Sequence, residues 1–153
     1  MKRKIDHIDK SILRVLQESA DRPYKQMSSI LHSPTSTISE RIKKLKQSGI
    51  IISTVVKLDR KKLQQDILGH VYLRLTITSK EVIEKFRQKL LLIREVSSCT
   101  SITGSYNIKI KVITNDTSRF HEIEREIASF PHVERVLNYI ELDEIIPYSG
   151  FHF

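Results

Sequence analysis

Hydroxyl and amino groups recur at helical spacing within residues 33–51 of this sequence. A helix over that stretch gathers them on one face and leaves the apolar Ile38, Ile42 and Leu45 as a narrow stripe on the other. Short polar side chains near a helix N-terminus can approach base edges in a DNA major groove, and lysines can neutralise phosphates. The candidate DNA-binding residues are Ser36, Thr37, Ser39, Glu40, Arg41, Lys43, Lys44 and Lys46.

Two of these candidates also have a structural interpretation. Arg41 lies at the edge of the apolar stripe, where pairing with an acid of a preceding helix competes with a DNA contact. Glu40 can accept a hydrogen bond from cytosine, or it can form ion pairs within its own helix. Because a lysine-rich helix face is also compatible with simple solvation, the flanking elements must decide between these interpretations.

The flanking sequence favours a helix-turn-helix. Apolar spacing predicts helices over residues 6–19 and 24–31, and a tight turn then leads into the polar-faced third helix. Ser33 is predicted to cap that third helix, with Pro34 at its first position and Gly49 at its end. A third helix after a tight turn is the arrangement that places a recognition helix in the major groove.

The charge distribution points to the same partner. The chain has 153 residues and a net charge of +8, and the excess is uneven along the sequence. Residues 1–62 carry 15 Lys and Arg against 6 Asp and Glu, whereas residues 63–153 carry 11 against 12. A basic module followed by a neutral one predicts a binding site for a large anion, here double-stranded DNA in preference to a membrane surface.

Other function classes receive little support. The single cysteine, Cys99, permits no internal disulfide and is predicted to be buried and inert, which favours a reducing, cytoplasmic environment. The six histidines are scattered without metal-ligand spacing, so no metal or other cofactor is predicted. No apolar run is long enough to cross a bilayer. No catalytic fingerprint is present, and we do not expect an enzyme.

The pattern changes after the third helix. Residues 50–58 are rich in β-branched side chains and are predicted to be extended, as a wing or as a strand that links the two halves. Residues 59–66 are polar and charged, which marks a boundary. The predicted domains are a helix-turn-helix domain at 1–52, a linking strand and hinge at 53–66, and an oligomerisation and effector-binding domain at 67–153.

The second half alternates strands and helices. From Gly69 the apolar period becomes two, and the segments read strand, helix, strand, strand, helix, strand. The last three are predicted over residues 106–114, 117–130 and 133–146, with Gly104-Ser105 as a two-residue hairpin turn. This order predicts a ferredoxin-like βαββαβ domain behind a winged-helix-like domain, in the α+β class. Both helices then cover one face of the sheet, which leaves the other for a second copy of the chain.

Three motifs in this order resemble the Lrp/AsnC family of leucine-responsive and asparagine-responsive transcriptional regulators. The first is Ile5-Asp6-x-x-Asp9-Lys10-x-Ile12-Leu13-x-x-Leu16-Gln17. The second is Ser33-Pro34-x-x-Thr37-Ile38-x-x-Arg41-Ile42-Lys43-Lys44-Leu45. The third is Thr103-Gly104-Ser105-Tyr106. The resemblance covers nearly the whole chain.

The resemblance implies a DNA-binding transcriptional regulator that forms dimers, often assembled into tetramers or octamers, with a small effector such as an amino acid bound near the third motif. The implied effector-binding residues are Thr103, Gly104, Ser105, Tyr106 and Asn107. The family usually has aspartate where this chain has Asn107, and an amide can only hydrogen-bond an effector's ammonium group. Tyr106 could line the effector pocket, but a tyrosine at the start of a strand more often serves packing. Two alternatives remain open at this point: a siroheme-decarboxylase-like enzyme of the same architecture, and a partner subunit that does not bind DNA.

Overall fold

The computed structural model describes residues 4–152, and the ends of the predicted domains at residues 1–3 and 153 lie outside the described residues. The chain divides into two compact units. The helical unit contains the described residues through Lys57 together with those from Ile146 onward, and the sheet unit comprises Leu58–Ile145. The α+β class predicted from the sequence is confirmed.

The helical unit contains three helices: α1 (His7–Glu18), α2 (Tyr24–Leu31) and α3 (Thr35–Gln47). Asp6 caps α1 by accepting a hydrogen bond from the Asp9 N–H at 2.8 Å. The apolar faces of the three helices converge on a core in which Ile12, Met27 and Ile38 are fully buried. These helices match the predicted ones closely because their apolar spacing and the Asp6 cap both mark their limits.

The start of α3 differs from the prediction by one residue. Pro34 is the N-cap residue, with an extended backbone (ψ 144°), and no side chain caps the helix. The Ser33 hydroxyl instead donates to the carbonyl of Leu31 at 3.2 Å. His32 closes the preceding turn in the left-handed conformation (φ 48°). Because Ser33 serves this turn, its hydroxyl is not available to the first amides of α3.

The predicted linking strand is not formed. Residues 52–59 are all described and belong to no helix or strand. Their apolar side chains face solvent, with Ile52 91%, Val55 80% and Val56 82% exposed. β-branched residues favour strands only where a neighbouring strand supplies hydrogen bonds and packing, and the single chain offers this stretch no such neighbour.

The sheet unit has the predicted order of elements. They are β1 (Ile67–Leu75), α4 (Lys80–Leu90), β2 (Val96–Ser101), β3 (Ile108–Thr114), α5 (Thr117–Ala128) and β4 (Val133–Ile140). The strands lie in the order β2-β3-β1-β4, and each pair is antiparallel. This is the ferredoxin-like arrangement. Strand β4 ends six residues before the predicted position, because its pairing with β1 stops at Gly69 and Ile140.

The core of the sheet unit lies between the sheet and its two helices. Val71 and Leu73 of β1 and Ile110 of β3 are fully buried beneath α5, whose Phe120 is itself fully buried. Phe120 lies directly against Gly69, where a Cβ would overlap the ring. The opposite face of the sheet carries the alternate residues of each strand and remains partly exposed.

Two sequence-level expectations concern the chemistry of the surface. None of the described helices is long and apolar enough to span a membrane. Cys99, which was predicted to be buried, is an exposed residue of the edge strand β2, although partial burial of its thiol raises the pKa above the usual value. The prediction of burial was wrong because it rested on the absence of companion residues that would make the thiol reactive, whereas exposure follows from the place of β2 at the edge of the sheet.

Candidate DNA-binding face and effector turn

Helix α3 separates its residues into a buried stripe and a polar face. Ile38 and Leu45 are fully buried and Ile42 is 4% exposed, so the stripe is filled by the core of the helical unit. The exposed DNA-binding candidates are Ser36, Glu40, Lys43, Lys44 and Lys46, and the half-buried ones are Thr37, Ser39 and Arg41. The structure therefore brings all eight candidates onto one helix, with its basic side turned to solvent.

Glu40 and Lys44 form an ion pair one helical turn apart. The Lys44 Nζ lies 2.5 Å from Glu40 Oε1, and both side chains are largely exposed. The hydrogen bond from Lys44 holds the pKa of Glu40 below its usual value. Exposed ion pairs of this spacing contribute little to stability, so Lys44 can exchange Glu40 for a phosphate at little cost.

Arg41 has acidic partners on α1. One guanidinium nitrogen, Nη1, lies 2.6 Å from Asp6 Oδ2 and 3.0 Å from Asp9 Oδ1. Asp9 is 1% exposed, so its carboxylate depends on protein partners for compensation. The bonds to Asp6 and then Asp9 raise the pKa of Arg41. Of the two interpretations left open by the sequence, the structure thus shows the ion pair with the first helix.

The predicted effector turn is longer than a two-residue hairpin. β2 ends at Ser101 and β3 begins at Ile108, and the last rung between them is a hydrogen bond from the Ile102 N–H to the Asn107 carbonyl at 3.0 Å. The connection is therefore the four residues 103–106, in which Gly104 adopts a positive φ of 119° that an L-residue rarely tolerates. The first three of these residues are exposed and Tyr106 is half-buried.

Asn107 is fully hydrogen-bonded within the fold. Its side-chain Oδ1 accepts from the Leu75 N–H at 2.8 Å, and its Nδ2 donates to the Leu75 carbonyl at 2.9 Å. Its backbone N–H donates to the Leu73 carbonyl at 2.9 Å, and its carbonyl accepts from Ile102. The amide therefore joins β1 to the start of β3, at the point where the β1–β4 pairing is irregular.

Tyr106 belongs to an aromatic group on the outer face of the sheet. Its ring meets that of Tyr72 edge-on at a centroid distance of 6.4 Å, and Tyr72 meets Tyr139 in the same way at 5.9 Å. The ammonium group of Lys109 lies 5.9 Å from the Tyr72 ring centroid. The packing interpretation of Tyr106 is thus realised in the structure, and its ring also borders the turn.

Sequence reasoning missed two contacts that depend on tertiary structure. One is the double hydrogen bond of Asn107 with Leu75, and the other joins Gln17 of α1 to Phe151. Period-two alternation could have placed Tyr72 and Tyr139 on the outer face, but only the strand order brings them together. Among the described residues, no group of three His, Cys, Asp or Glu side chains is arranged to hold a metal ion.

A trihelical unit with a polar third helix, followed by a ferredoxin-like unit, is compatible with a two-domain DNA-binding protein. Two family models match successive parts of the chain. The AsnC-type helix-turn-helix domain matches residues 5–46, and the Lrp/AsnC ligand binding domain matches residues 70–151.

Named relatives agree with these matches. The chain is 35% identical over 119 residues to the regulatory protein AsnC of Haemophilus influenzae, covering 78% of each chain. The structure of Escherichia coli AsnC superposes with a TM-score of 0.83 at 25% identity, covering 97% of this chain and 99% of that one. A Neisseria meningitidis transcriptional regulator, solved as an L-Met complex, shares the fold with a TM-score of 0.88 at 22% identity, over 97% of each chain.

The chain belongs to the Lrp/AsnC family, as its motifs predicted. It is a DNA-binding transcriptional regulator and not an enzyme, since its relatives in this family are regulators. The named relatives therefore favour a regulator over the siroheme-decarboxylase alternative.

Proposed function

We propose that this regulator reads its operator through the exposed face of α3. Ser36, Thr37 and Ser39 lie in the N-terminal half of the helix, from which short side chains reach base edges. The basic side chains further along contact phosphates, and Glu40 accepts from cytosine once Lys44 has moved to a phosphate. The supporting observation is the division of α3 into two faces, because the core already fills its apolar stripe whereas its basic side chains are exposed.

Arg41 has a different place in this proposal. Its guanidinium fixes α3 against the start of α1 through Asp6 and Asp9, so it orients the helix instead of contacting DNA. The proposed DNA contacts are therefore Ser36, Thr37, Ser39, Glu40, Lys43, Lys44 and Lys46, with Arg41 as a positioning residue.

A second copy of the chain completes the proposed regulator. Two recognition helices related by two-fold symmetry contact half-sites in successive major grooves, which requires at least a dimer. The outer face of the sheet, with Tyr72, Tyr106 and Tyr139, offers aromatic side chains of the kind enriched at interfaces. The exposed β-branched residues 52–58 supply a further stretch that a second copy can pair with. Dimers joined into a tetramer or octamer extend the same assembly, and its DNA partner places it in the cytoplasm.

The proposed effector is a small amino acid bound at the 103–106 turn. The support is the exposed backbone of this turn and the L-Met bound to the Neisseria relative. In this chain Thr103, Gly104, Ser105 and Tyr106 supply the contacts. Asn107 forms the base of the turn, because its amide is already bonded to both polar groups of Leu75.

The experiment is fluorescence anisotropy with the DNA upstream of the regulator's own gene and with a scrambled duplex, titrated over salt. Wild type should bind the native fragment more tightly than the scrambled one. Lys43→Ala/Lys46→Ala removes two exposed cations from each protomer, hence four from a dimer, and the slope of log K against log salt should become shallower by about 4.

Lys80→Ala/Lys85→Ala is the matched control, because it removes two exposed cations from α4 of the sheet unit. Its salt slope should equal that of wild type. Equal weak binding of wild type to both duplexes, with a slope that the α3 variant does not change, would contradict the proposal and favour a partner subunit that does not bind DNA.

A further inference from the structure

The 146–152 segment makes a specific contact with α1. Gln17, next to the last residue of the helix, donates from Nε2 to the Phe151 carbonyl at 3.0 Å. The Phe151 N–H donates back to Gln17 Oε1 at 2.6 Å. One side-chain amide thus satisfies both polar backbone groups of a residue 134 positions away, in the manner of a two-bond β-bridge.

The residue before Phe151 is shaped for this contact. Gly150 has a positive φ of 90°, and a Cβ at this position would overlap the Gln17 side chain. The close approach therefore requires glycine for two separate reasons, its backbone conformation and its lack of a side chain. A loose encounter between an exposed segment and a helix has no need of either feature.

Chain connectivity gives this contact a mechanical consequence. The sheet unit comprises residues 58–145, so the chain leaves the helical unit after Lys57 and returns to it at Ile146. If residues 146–152 are released, a single covalent connection at residues 57–58 remains, and the exposed linker before it has no strand pairing to stiffen it. When they are docked, two connections hold the helical unit.

We propose that residues 146–152 form a strap, docked on α1 through Gln17, which limits the orientational freedom of the helix-turn-helix. A helical unit held at both ends loses less orientational freedom when it binds DNA. The regulator therefore binds its operator more tightly without making any new contact. The strap concerns regulation of the DNA-binding unit and goes beyond the proposed recognition by α3. Through these hydrogen bonds it also gives the sheet unit a second route by which its state reaches the DNA-binding helices.

Docking is tested without DNA by hydrogen exchange with mass spectrometry on the full chain. Gln17→Ala removes both hydrogen bonds, and amide exchange in the peptide containing Phe151 should accelerate about fivefold. Glu18→Ala is the matched control, because Glu18 is the neighbouring exposed residue and pairs with Arg22. Exchange at Phe151 that is the same in wild type and in Gln17→Ala would overturn the docking.

The functional role is tested by operator affinity. Gln17→Ala and, independently, Gly150→Ala should each weaken binding about threefold at an unchanged salt slope, because no phosphate contact is lost. Glu18→Ala should bind as wild type does. Faster exchange at Phe151 combined with unchanged affinity in both variants would overturn the orienting role. Absence of specific binding by wild type would contradict the α3 proposal instead, and the exchange measurement would still decide whether the strap docks.

Discussion

In each unit of this regulator a polar side chain links elements that are distant in sequence, and the link in the helical unit differs in chemistry from the link in the sheet unit. In the helical unit, the charged Arg41 joins α3 to the N-terminus of α1 through two carboxylates. In the sheet unit, the neutral amide of Asn107 joins the start of β3 to the end of β1 through both polar groups of Leu75. Both links connect elements that are distant in sequence.

The difference follows from what each link must satisfy. Asp9 is a buried acid and needs a cation, whereas Leu75 presents a backbone donor and acceptor side by side and needs a group that is both. A charged link depends on pH and salt, and an amide link depends on neither. We therefore expect the helical unit, which carries the DNA-binding face, to be the more sensitive of the two to solution conditions.

The largest effect is expected from Asn107→Asp. A carboxylate can still accept from the Leu75 N–H, but it cannot donate to the Leu75 carbonyl and places a negative charge against it. With a buried acceptor left unpaired, the sheet unit should lose about 3 kcal/mol of its free energy of unfolding. This loss of unfolding free energy is measured by urea unfolding, with hydrogen exchange in peptides from β1 and β3 as the readout.

Asn115→Asp makes the same change at an exposed residue that follows β3. It should alter the unfolding free energy by less than about 0.5 kcal/mol. Equal stability of the Asn107 and Asn115 variants would show that the hydrogen bonds between Asn107 and Leu75 do not stabilise the sheet unit. The contrast with the charged link at Arg41 would then have no basis.

Arg41→Met should have the second largest effect. The methionine keeps much of the aliphatic packing but removes the guanidinium that is hydrogen-bonded to the buried Asp9 carboxylate, at a cost of about 2 kcal/mol to the helical unit. Arg41→Lys should recover part of this loss, because it restores the charge but not the planar guanidinium. At temperatures where the variants remain folded, the ratio of affinities for the native and the scrambled duplex should fall. The slope of log K against log salt should equal that of wild type. A slope shallower by about 2, one for each protomer of the dimer, would instead identify Arg41 as a phosphate contact.

Much of the fold could be predicted because its elements are marked locally. The Asp6 cap and the apolar spacing of Ile12, Ile38 and Leu45 define the helices, and period-two alternation defines β1 and β3. The predicted linking strand is not formed, because β-branched residues favour an extended strand only where a neighbouring strand pairs with them. Local signals therefore gave the elements, and pairing partners decided which of the extended stretches became strands.

The site was less accessible to sequence reasoning because its decisive contacts are long-range. The position of Arg41 at the edge of a stripe could suggest an acid on α1, but only the packed helices identify Asp6 and Asp9. The family motif drew attention to Asn107 as an effector contact, whereas its bonds to Leu75 depend on the strand register. Residue type alone does not reveal whether a polar group is already satisfied within the fold.

The smallest expected effect is a difference in how stability depends on pH between the charged link at Arg41 and the amide link at Asn107. The pKa of Asp6 lies below the usual 3.8, because the Asp9 N–H and then Arg41 bind its charged form. A lowered folded pKa stabilises the protein above the unfolded pKa, and this contribution is lost as pH falls through the folded value. The difference in urea midpoint between wild type and Asp6→Asn should therefore stay constant from pH 7 to about 5 and narrow below about 3.8. The difference between wild type and Asn107→Ala should not narrow in this way, because neither side chain titrates over that range. A parallel decline of both differences in acid would show that general unfolding, and not the charged link, sets the acid sensitivity of the helical unit.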